Sequence, residues 1–304
     1  MARMTFTFHT LDVFTNRRFA GNPLAVVLDA DGLSTLQMQT IAREFNLSET
    51  IFVMAPTDQA NTARVRIFFP NGEIPFAGHP TVGCAILLAT RPQRRVGEEV
   101  TIRLEEEAGL VPVTVTNLDA VPHAMFTAPV IPVEILNDAT DPRLVAQAVG
   151  LAPEDLGFGD HRPRLHKAGP SCLHIPVRSR EALARARPIE PHWSALFERL
   201  ATDQGYLYTP GGDHPGTAYR ARMFAPTAMT PEDPATGSAT AMLAAQLLTS
   251  EHLTDGTHRW ALEQGYEMGR PSDLHLEADV AAGQLTAVRV AGQAVHVMSG
   301  TLAL

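Results

Sequence analysis

One segment of the chain occurs twice, and this repeat limits the possible folds more than any other feature of the sequence. The first copy lies at 64–70 and the second lies 156 residues later, at 220–226. The matching positions are Arg64, Arg66, Phe68 and Pro70 in the first copy and Arg220, Arg222, Phe224 and Pro226 in the second. After a slip of three residues the match continues, with Glu73 and Gly78 and then Glu232 and Gly237. Such a repeat indicates two similar halves.

Each copy of the repeat leads into a helix that is apolar on almost every side. These predicted helices cover 81–88 and 239–245. A helix without a polar face must be surrounded by other elements. Because most neighbouring segments are short and strand-like, the sequence predicts an α+β fold of two pseudo-symmetric halves, each a curled mixed or antiparallel sheet around a central apolar helix. The alternative is a chance similarity of two helices.

The length also favours two domains. A chain of 304 residues exceeds what one core usually absorbs. A polar break at 116–119 places the boundary near 118–122. We therefore expect an N-terminal half at 1–120, joined by a C-terminal strand at about 286–304, and a C-terminal half at 121–285.

Local signals place the first elements of the chain. Ser34 and Gln37 form a capping box before a helix with apolar positions at a spacing of three and four, and Asn46 is a left-handed stop. Strands are predicted at 5–12, 24–28, 51–54 and 63–69.

Composition excludes several classes of protein. The net charge is −9, and no basic block is longer than Arg94–Arg95, which argues against a nucleic-acid or membrane partner. No apolar run approaches the roughly 18 residues of a membrane span. The start of the chain lacks the apolar core of a signal peptide, so a cytoplasmic location is expected.

No cofactor or metal site is evident in the sequence. Lys167 is the only lysine of the chain. No Ser or Thr follows it, so the sequence contains no phosphate loop. A Schiff base would have to form on this residue, which lies in a polar stretch. No Gly-x-Gly-x-x-Gly follows a strand. Cys84 and Cys172 form neither a disulfide framework nor a zinc pair. One loose group lacks zinc spacing: His161, His166, Cys172 and His174.

The starts of the two apolar helices predict an anion site. Gly78 and Gly237 each stand next to a polar residue, and glycine allows a ligand to approach the backbone closely. Each helix start carries roughly half a positive charge. We expect the two N-termini to bind one small carboxylate in a cleft, since no basic side chain accompanies the motifs. The alternative is that both glycines serve only tight turns.

Four side chains near these helix starts are candidates for chemistry. Glu49 has apolar neighbours, as a partly shielded proton shuttle needs, but it also fits a solvated loop glutamate. His79 is a donor or proton relay, or a helix cap. Asp233 is a ligand-binding or catalytic residue, or a cap. Ser238 lies outside any Gly-x-Ser-x-Gly motif.

The order of these motifs resembles a known family over nearly the whole chain. The segments are Asp12–Thr15, Gly21–Val27, Ser48–Thr50, Glu73–Thr81, Glu232–Ala239 and Gly269–Ser272. Together they look like the phenazine-biosynthesis PhzF-like family. The resemblance implies the diaminopimelate-epimerase-like fold, with two pseudo-symmetric halves and a central helix in each.

The resemblance also implies an activity and a site. It implies a homodimeric, cofactor-independent isomerase that moves a hydrogen within a small carboxylic acid. The catalytic glutamate of the family falls on Glu49, and its other site residues fall on His79, Asp233 and Ser238. The amides after Gly78 and Gly237 would hold the substrate carboxylate, and Ser48 is assigned to substrate binding with them.

The same fold hosts epimerases that use two cysteines, one immediately before each helix-start glycine. Here those positions are Ala77 and Thr236. Alanine is neither an acid nor a base, so a two-base epimerase is excluded and a single carboxylate shuttle is favoured. Two alternatives stay open at this point: a non-catalytic acid-binding or interaction protein on the same scaffold, and a hydrolase or lyase that uses Asp233 and Ser238.

Overall fold

The structure, a computed structural model, describes residues 5–90, 99–226 and 230–304. It divides into two compact units. The first contains 1–129 and 291–304, and the second contains 130–290. Residues 1–4 and 91–98 of the expected N-terminal half, and 227–229 of the expected C-terminal half, lie outside the described residues.

Eight strands and two helices form most of the first unit: β1 (Thr5–Val13), β2 (Asn22–Val27), α1 (Thr35–Phe45), β3 (Glu49–Met54), β4 (Ala63–Phe69), β5 (Gly72–Ile74), α2 (Gly78–Ala89), β6 (Val100–Glu106), β7 (Gly109–Thr116) and β8 (His123–Thr127). The second unit continues with β9 (Val133–Ile135), α3 (Pro142–Ala148), β10 (Arg164–Lys167), β11 (Ser171–Pro176), α4 (Arg180–Arg185), α5 (His192–Leu200), β12 (Gly205–Pro210), β13 (Thr217–Ala225), β14 (Thr230–Asp233), α6 (Gly237–Ser250), β15 (Gly256–Gln264), β16 (Ser272–Ala281) and β17 (Gln284–Ala303). From Ala291 onward, β17 belongs to the first unit.

The first unit is a mixed sheet with two parallel crossovers. Strand β1 pairs antiparallel with β2, and β2 pairs parallel with β3 after α1. Strand β4 pairs antiparallel with β3 and β5, and it pairs parallel with β6 after α2. Strands β6, β7 and β8 follow as antiparallel neighbours. The end of β17 returns to this unit and pairs antiparallel with β1.

The second unit repeats this order of pairings. Strand β10 pairs antiparallel with β11, and β11 pairs parallel with β12 after α4 and α5. Strand β13 pairs antiparallel with β12 and β14, and it pairs parallel with β15 after α6. Strand β16 then pairs antiparallel with β15. The predicted α+β fold with two pseudo-symmetric halves is confirmed.

Side-chain contacts reproduce the repeat as well. In the first unit Arg66 donates two hydrogen bonds of 2.6 Å to Glu73. In the second, Arg222 donates two hydrogen bonds of 2.8 and 2.9 Å to Glu232. The guanidinium groups lie 5.1 Å from the ring centre of Phe68 and 4.7 Å from that of Phe224. These equivalent contacts exclude chance similarity.

Both apolar helices lie inside their own unit. Every residue of α2 is buried, and the helix packs against β1, β2, β3, β6, β7 and β8. Most of α6 is buried, and it packs against β9, β10, β11 and β16. A second apolar layer covers the sheet in each unit, formed by α1 in the first and by α3 and α5 in the second.

The signals that predicted the first helix are present in the structure. The Ser34 hydroxyl accepts from the Gln37 amide, and the Gln37 side chain accepts from the Ser34 amide. Asn46 ends α1 with φ 51°. The predicted capping box and left-handed stop are confirmed. Among the described residues, no helix is long and apolar enough to cross a membrane.

Gly83 lets α2 pack closely on the sheet. A Cβ at this position would lie 2.6 Å from Leu24 Cδ2 and 2.7 Å from Val13 Cγ2, and both of these side chains are fully buried. We expect Gly83→Ala to lower the free energy of unfolding by about 1–3 kcal/mol, because overpacking outweighs the better helix propensity of alanine. Urea denaturation measures this change. An unchanged or increased stability would contradict the close packing.

Candidate active site

The first unit brings Glu49 and His79 together. Glu49 is the first residue of β3, where it pairs with Leu24 of the parallel strand β2. His79 is the second residue of α2. Asn22 begins β2 and is buried beside them. Because β2 and β3 run in parallel, their first residues lie at the same edge of the sheet, close to the start of α2.

The ring of His79 has two close polar neighbours. Its Nδ1 lies 3.3 Å from Glu49 Oε2 and 3.3 Å from Asn22 Nδ2. The amide nitrogen only donates and the carboxylate oxygen only accepts, so Nδ1 of the neutral ring hydrogen-bonds one of the two, and the ring tautomer depends on which of them it is. His79 Nε2 is buried without a hydrogen-bond partner among the described residues. A buried ring nitrogen of this kind is satisfied when a ligand supplies the complementary hydrogen-bonding group.

Burial keeps His79 neutral. Its side chain is 4% exposed, against 20% for Glu49. Burial lowers the pKa of His79 to about 3, because a charged imidazolium would lose its hydration. Despite the short distance, the contact with Glu49 is therefore not an ion pair near neutral pH. Glu49 is partly exposed, although its Oε2 atom is buried.

We expect the His79 ring to remain uncharged from pH 5 to 9. Nitrogen-15 NMR of the ring, assigned by comparison with His79→Gln, measures this directly. Below pH 6.5 His79 binds a proton in the unfolded chain but not in the folded chain. The contribution of His79 to the free energy of unfolding therefore falls as the pH decreases toward 3. A ring that becomes charged near pH 6.5 would contradict the assignment.

The start of α6 in the second unit is organised by Gln264. The Thr236 hydroxyl donates to Asp233 Oδ2 at 2.6 Å. The Gln264 amide donates to the Asp233 carbonyl at 2.8 Å and to Thr236 Oγ1 at 3.0 Å. Its oxygen accepts from the Thr236 amide at 3.1 Å. Asp233 is thus held beside Gly237, the first residue of α6.

Ser238 is the second residue of α6 and is partly exposed. In the repeat, it occupies the position that His79 occupies in α2. Among the described residues, no hydrogen bond to its hydroxyl is present. The hydrolase alternative gains no support from this geometry.

The other candidate groups have structural environments. His166 Nδ1 and His174 Nδ1 lie 3.0 Å apart, and His174 Nε2 donates to the Ala239 carbonyl at 3.0 Å. The ring of His161 is hydrogen-bonded to the Tyr208 hydroxyl at 2.8 Å. In the part of the chain that the structure describes, no cluster of three His, Cys, Asp or Glu side chains is arranged to hold a metal ion. Lys167 is exposed at the end of β10.

The sequence analysis did not identify two residues near the site, Asn22 and Gln264. Asn22 was part of a motif, but only the parallel pairing of β2 with β3 places it beside His79. Gln264 lies 28 residues after Thr236 and contacts it through the fold. The signal that identifies Gln264 is its place at the end of the strand that follows the apolar helix of the repeat.

Comparisons with known proteins agree with this organisation. Residues 11–300 match the family of phenazine biosynthesis-like proteins named PhzC-PhzF. An uncharacterized isomerase of Mesorhizobium japonicum is 44% identical over 96% of this chain and 96% of its own length. The trans-2,3-dihydro-3-hydroxyanthranilate isomerase of Pseudomonas aeruginosa is 34% identical over 95% of this chain and 96% of its own.

A solved structure extends the likeness to the fold. The crystal structure of a Bacillus anthracis phenazine biosynthesis protein of the PhzF family aligns with a TM-score of 0.87, at 25% identity, over 98% of this chain and 99% of that one. Both full-length relatives are isomerases by name. The chain is an enzyme of the isomerase class, and it belongs to the phenazine biosynthesis-like, or PhzC-PhzF, family.

Proposed function

We propose that this protein is a cofactor-independent isomerase that shifts a proton within a small substrate bearing a carboxylate, with Glu49 as the general acid and base. The observation that carries the proposal is the pairing of a partly exposed carboxylate with a buried neutral imidazole, 3.3 Å apart. Glu49 removes a proton next to a conjugated or carbonyl-bearing centre and returns it at another carbon. The reaction is then an allylic or keto–enol shift.

The repeat supports a single base. Thr50 pairs with Phe68 in the first unit, and Gly205 pairs with Phe224 in the second. Phe68 and Phe224 are equivalent in the repeat, so their strand partners Thr50 and Gly205 are equivalent too. The residues directly before these partners, Glu49 and Gln204, therefore correspond to each other. A glutamine is not a base. The second unit therefore has no base at the position equivalent to Glu49. A two-base epimerase, in contrast, needs a second acid or base.

His79 is suited to stabilise the anion that forms when the proton leaves. In the tautomer with the ring proton on Nε2, this atom donates from a buried site, where a hydrogen bond to a developing negative charge is stronger than in water. Because the ring is neutral, it stabilises charge without competing with Glu49 for the proton. A hydrogen bond donated by Asn22 Nδ2 to His79 Nδ1 selects this tautomer.

The remaining assigned residues bind the substrate. In the first unit these are Ser48 and the amide after Gly78. In the second unit they are Asp233, Ser238 and the amide after Gly237. Neither N-cap residue, Ala77 or Thr236, caps its helix with a side chain, which leaves both helix starts able to donate to an anion. The family resemblance also makes a homodimer our expectation, which light scattering tests.

The first substrate to test is trans-2,3-dihydro-3-hydroxyanthranilate, the compound for which the Pseudomonas aeruginosa relative is named. In deuterium oxide, a shuttle through Glu49 exchanges the carried proton with solvent and leaves one deuteron at the new carbon of the product. Mass spectrometry and NMR of the product measure this without added cofactor. Conversion without any deuterium at pH 7 would contradict an exchangeable shuttle, and binding without conversion would exclude this compound as the substrate.

A further inference from the structure

We propose that Glu106 is protonated in the active protein and is a positioning residue, whose acid proton fixes the first turn of α2. The chain of contacts runs from Glu106 through Thr81 to the carbonyl of Ala77. Ala77 directly precedes Gly78 and His79, so this carbonyl belongs to the turn that carries His79. The inference rests on the proposed function, in which His79 contacts the substrate.

The number of protons available around the Thr81 hydroxyl indicates the charge of Glu106. The Thr81 Oγ1 lies 2.7 Å from the Ala77 carbonyl oxygen and 2.7 Å from Glu106 Oε1. A hydroxyl has one proton, so it donates to only one of two acceptors. If Glu106 were ionised, one of these short contacts would join two oxygens without a proton. A protonated Glu106 donates to Thr81, and Thr81 donates to Ala77, so both contacts become hydrogen bonds.

The surroundings of Glu106 favour the neutral acid. The residue is 8% exposed, and its second oxygen is buried without a hydrogen-bond partner among the described residues. Burial raises its pKa to about 8. A cavity of about 500 Å³ adjoins it, and the other charged groups lining this cavity are Arg64, Arg66, Glu73, Glu105 and Glu107.

Neither cation of the cavity pairs with Glu106. Arg66 is held in its ion pair with Glu73. The Arg64 guanidinium contacts Met54 Sδ at 3.6 Å. Among the described residues that line the cavity, neither arginine therefore compensates a charge on Glu106.

The repeat gives an independent indication that this position is neutral. In the backbone register, Arg64 of β4 lies opposite Glu105 of β6, and Arg220 of β13 lies opposite Glu263 of β15. Glu105 accepts from two loop amides, those of Thr57 and Asp58, and Glu263 likewise accepts from two loop amides. The two glutamates are therefore equivalent.

The next residue in each strand is Glu106 in β6 and Gln264 in β15. Gln264 is uncharged, and it organises the start of α6 by hydrogen bonds to Thr236 and to the Asp233 carbonyl. A protonated glutamic acid is the closest equivalent of glutamine, since each is uncharged and presents one donor group and one acceptor oxygen. Both strands thus end in a neutral side chain that organises the start of the apolar helix.

The first test needs no substrate. Infrared spectra of the protein from pH 6 to 10 are expected to show a protonated carboxyl band that disappears with a midpoint near pH 8. This band is expected to be absent in Glu106→Gln and retained in Glu107→Gln, which changes an exposed neighbour lining the same cavity. A wild-type spectrum without such a band near pH 6 would overturn the proposal.

The second test follows the position of His79. NMR signals of the Gly78 amide and the His79 ring are expected to shift with the same midpoint in the wild type and to remain constant in Glu106→Gln. If these signals follow the same pH dependence in both proteins, Glu106 does not position the turn and the proposal is wrong. Thr81→Val is expected to shift the same signals at every pH, because it removes the link between Glu106 and Ala77.

Deuterium exchange into the substrate then connects the positioning role to turnover. The wild-type rate is expected to fall about tenfold per pH unit above the Glu106 midpoint, and Glu106→Gln is expected to lack this alkaline limb. An identical alkaline limb in Glu106→Gln would overturn the catalytic consequence. If the wild type exchanges nothing, the proposed function fails, while the infrared and NMR tests still decide whether Glu106 is protonated and positions α2.

Discussion

Replacing Glu49 with glutamine is expected to abolish measurable isomerisation, with a loss of about two to four orders of magnitude in rate, the range typical for removal of a general acid or base. The amide keeps the size of the side chain and its polar contacts at the start of β3. It cannot accept and return a proton. His79 does not replace the base, because its low pKa makes it a very weak proton acceptor near neutral pH.

The fold and the ligand affinity of Glu49→Gln are expected to survive. The repeat already contains this side chain at the equivalent position, as Gln204 directly before β12. Product formation and deuterium incorporation are measured beside substrate affinity by calorimetry. Glu44→Gln, on the exposed side of α1, is the matched control and is expected to retain full exchange. Continued exchange in Glu49→Gln would show that another group carries the proton.

Local patterns predicted the elements whose signals are contained within a few residues. The capping box of Ser34 and Gln37 and the stop at Asn46 define α1, and their contacts reach only three or four residues. The strand predicted at 63–69 has the same bounds in the structure. The apolar character of α2 predicted its burial, because a helix without a polar face is stable only inside a unit.

Contacts set by sheet pairing were not accessible to the sequence. Asn22 and His79 are 57 residues apart, and Thr81 and Glu106 are 25 residues apart. Their meeting depends on the parallel pairings of β2 with β3 and of β4 with β6, whose register no local motif specifies. Recognition of the family supplied Glu49, His79, Asp233 and Ser238, but not their neighbours Asn22 and Gln264. The roles of these four residues remain predictions.

Two equivalent arginines of the repeat, Arg66 and Arg222, differ in their environment. Arg66 and Arg222 make the same two-bond ion pair in their own units. The Arg66 side chain is 28% exposed and that of Arg222 is 9% exposed. Arg222 Nη1 also donates to the carbonyls at the end of α4, those of Leu183, Ala184 and Ala186, at 2.9, 3.2 and 2.9 Å. The sequence motif is the same, but the energetic consequence differs.

Arg222→Met is expected to lower the free energy of unfolding by about 3–5 kcal/mol, because it leaves the Glu232 carboxylate and the α4 carbonyls without their donor. Arg66→Met is the matched control and is expected to cost about 1 kcal/mol or less, since its ion pair is partly hydrated. Urea denaturation of both variants measures the difference. Adding Glu232→Gln to Arg222→Met is expected to recover part of the loss, because the unpaired charge is removed. Equal losses in the two single variants would mean that the carbonyl contacts of Arg222 contribute nothing, and that the ion pair alone accounts for the stability of this motif in both units.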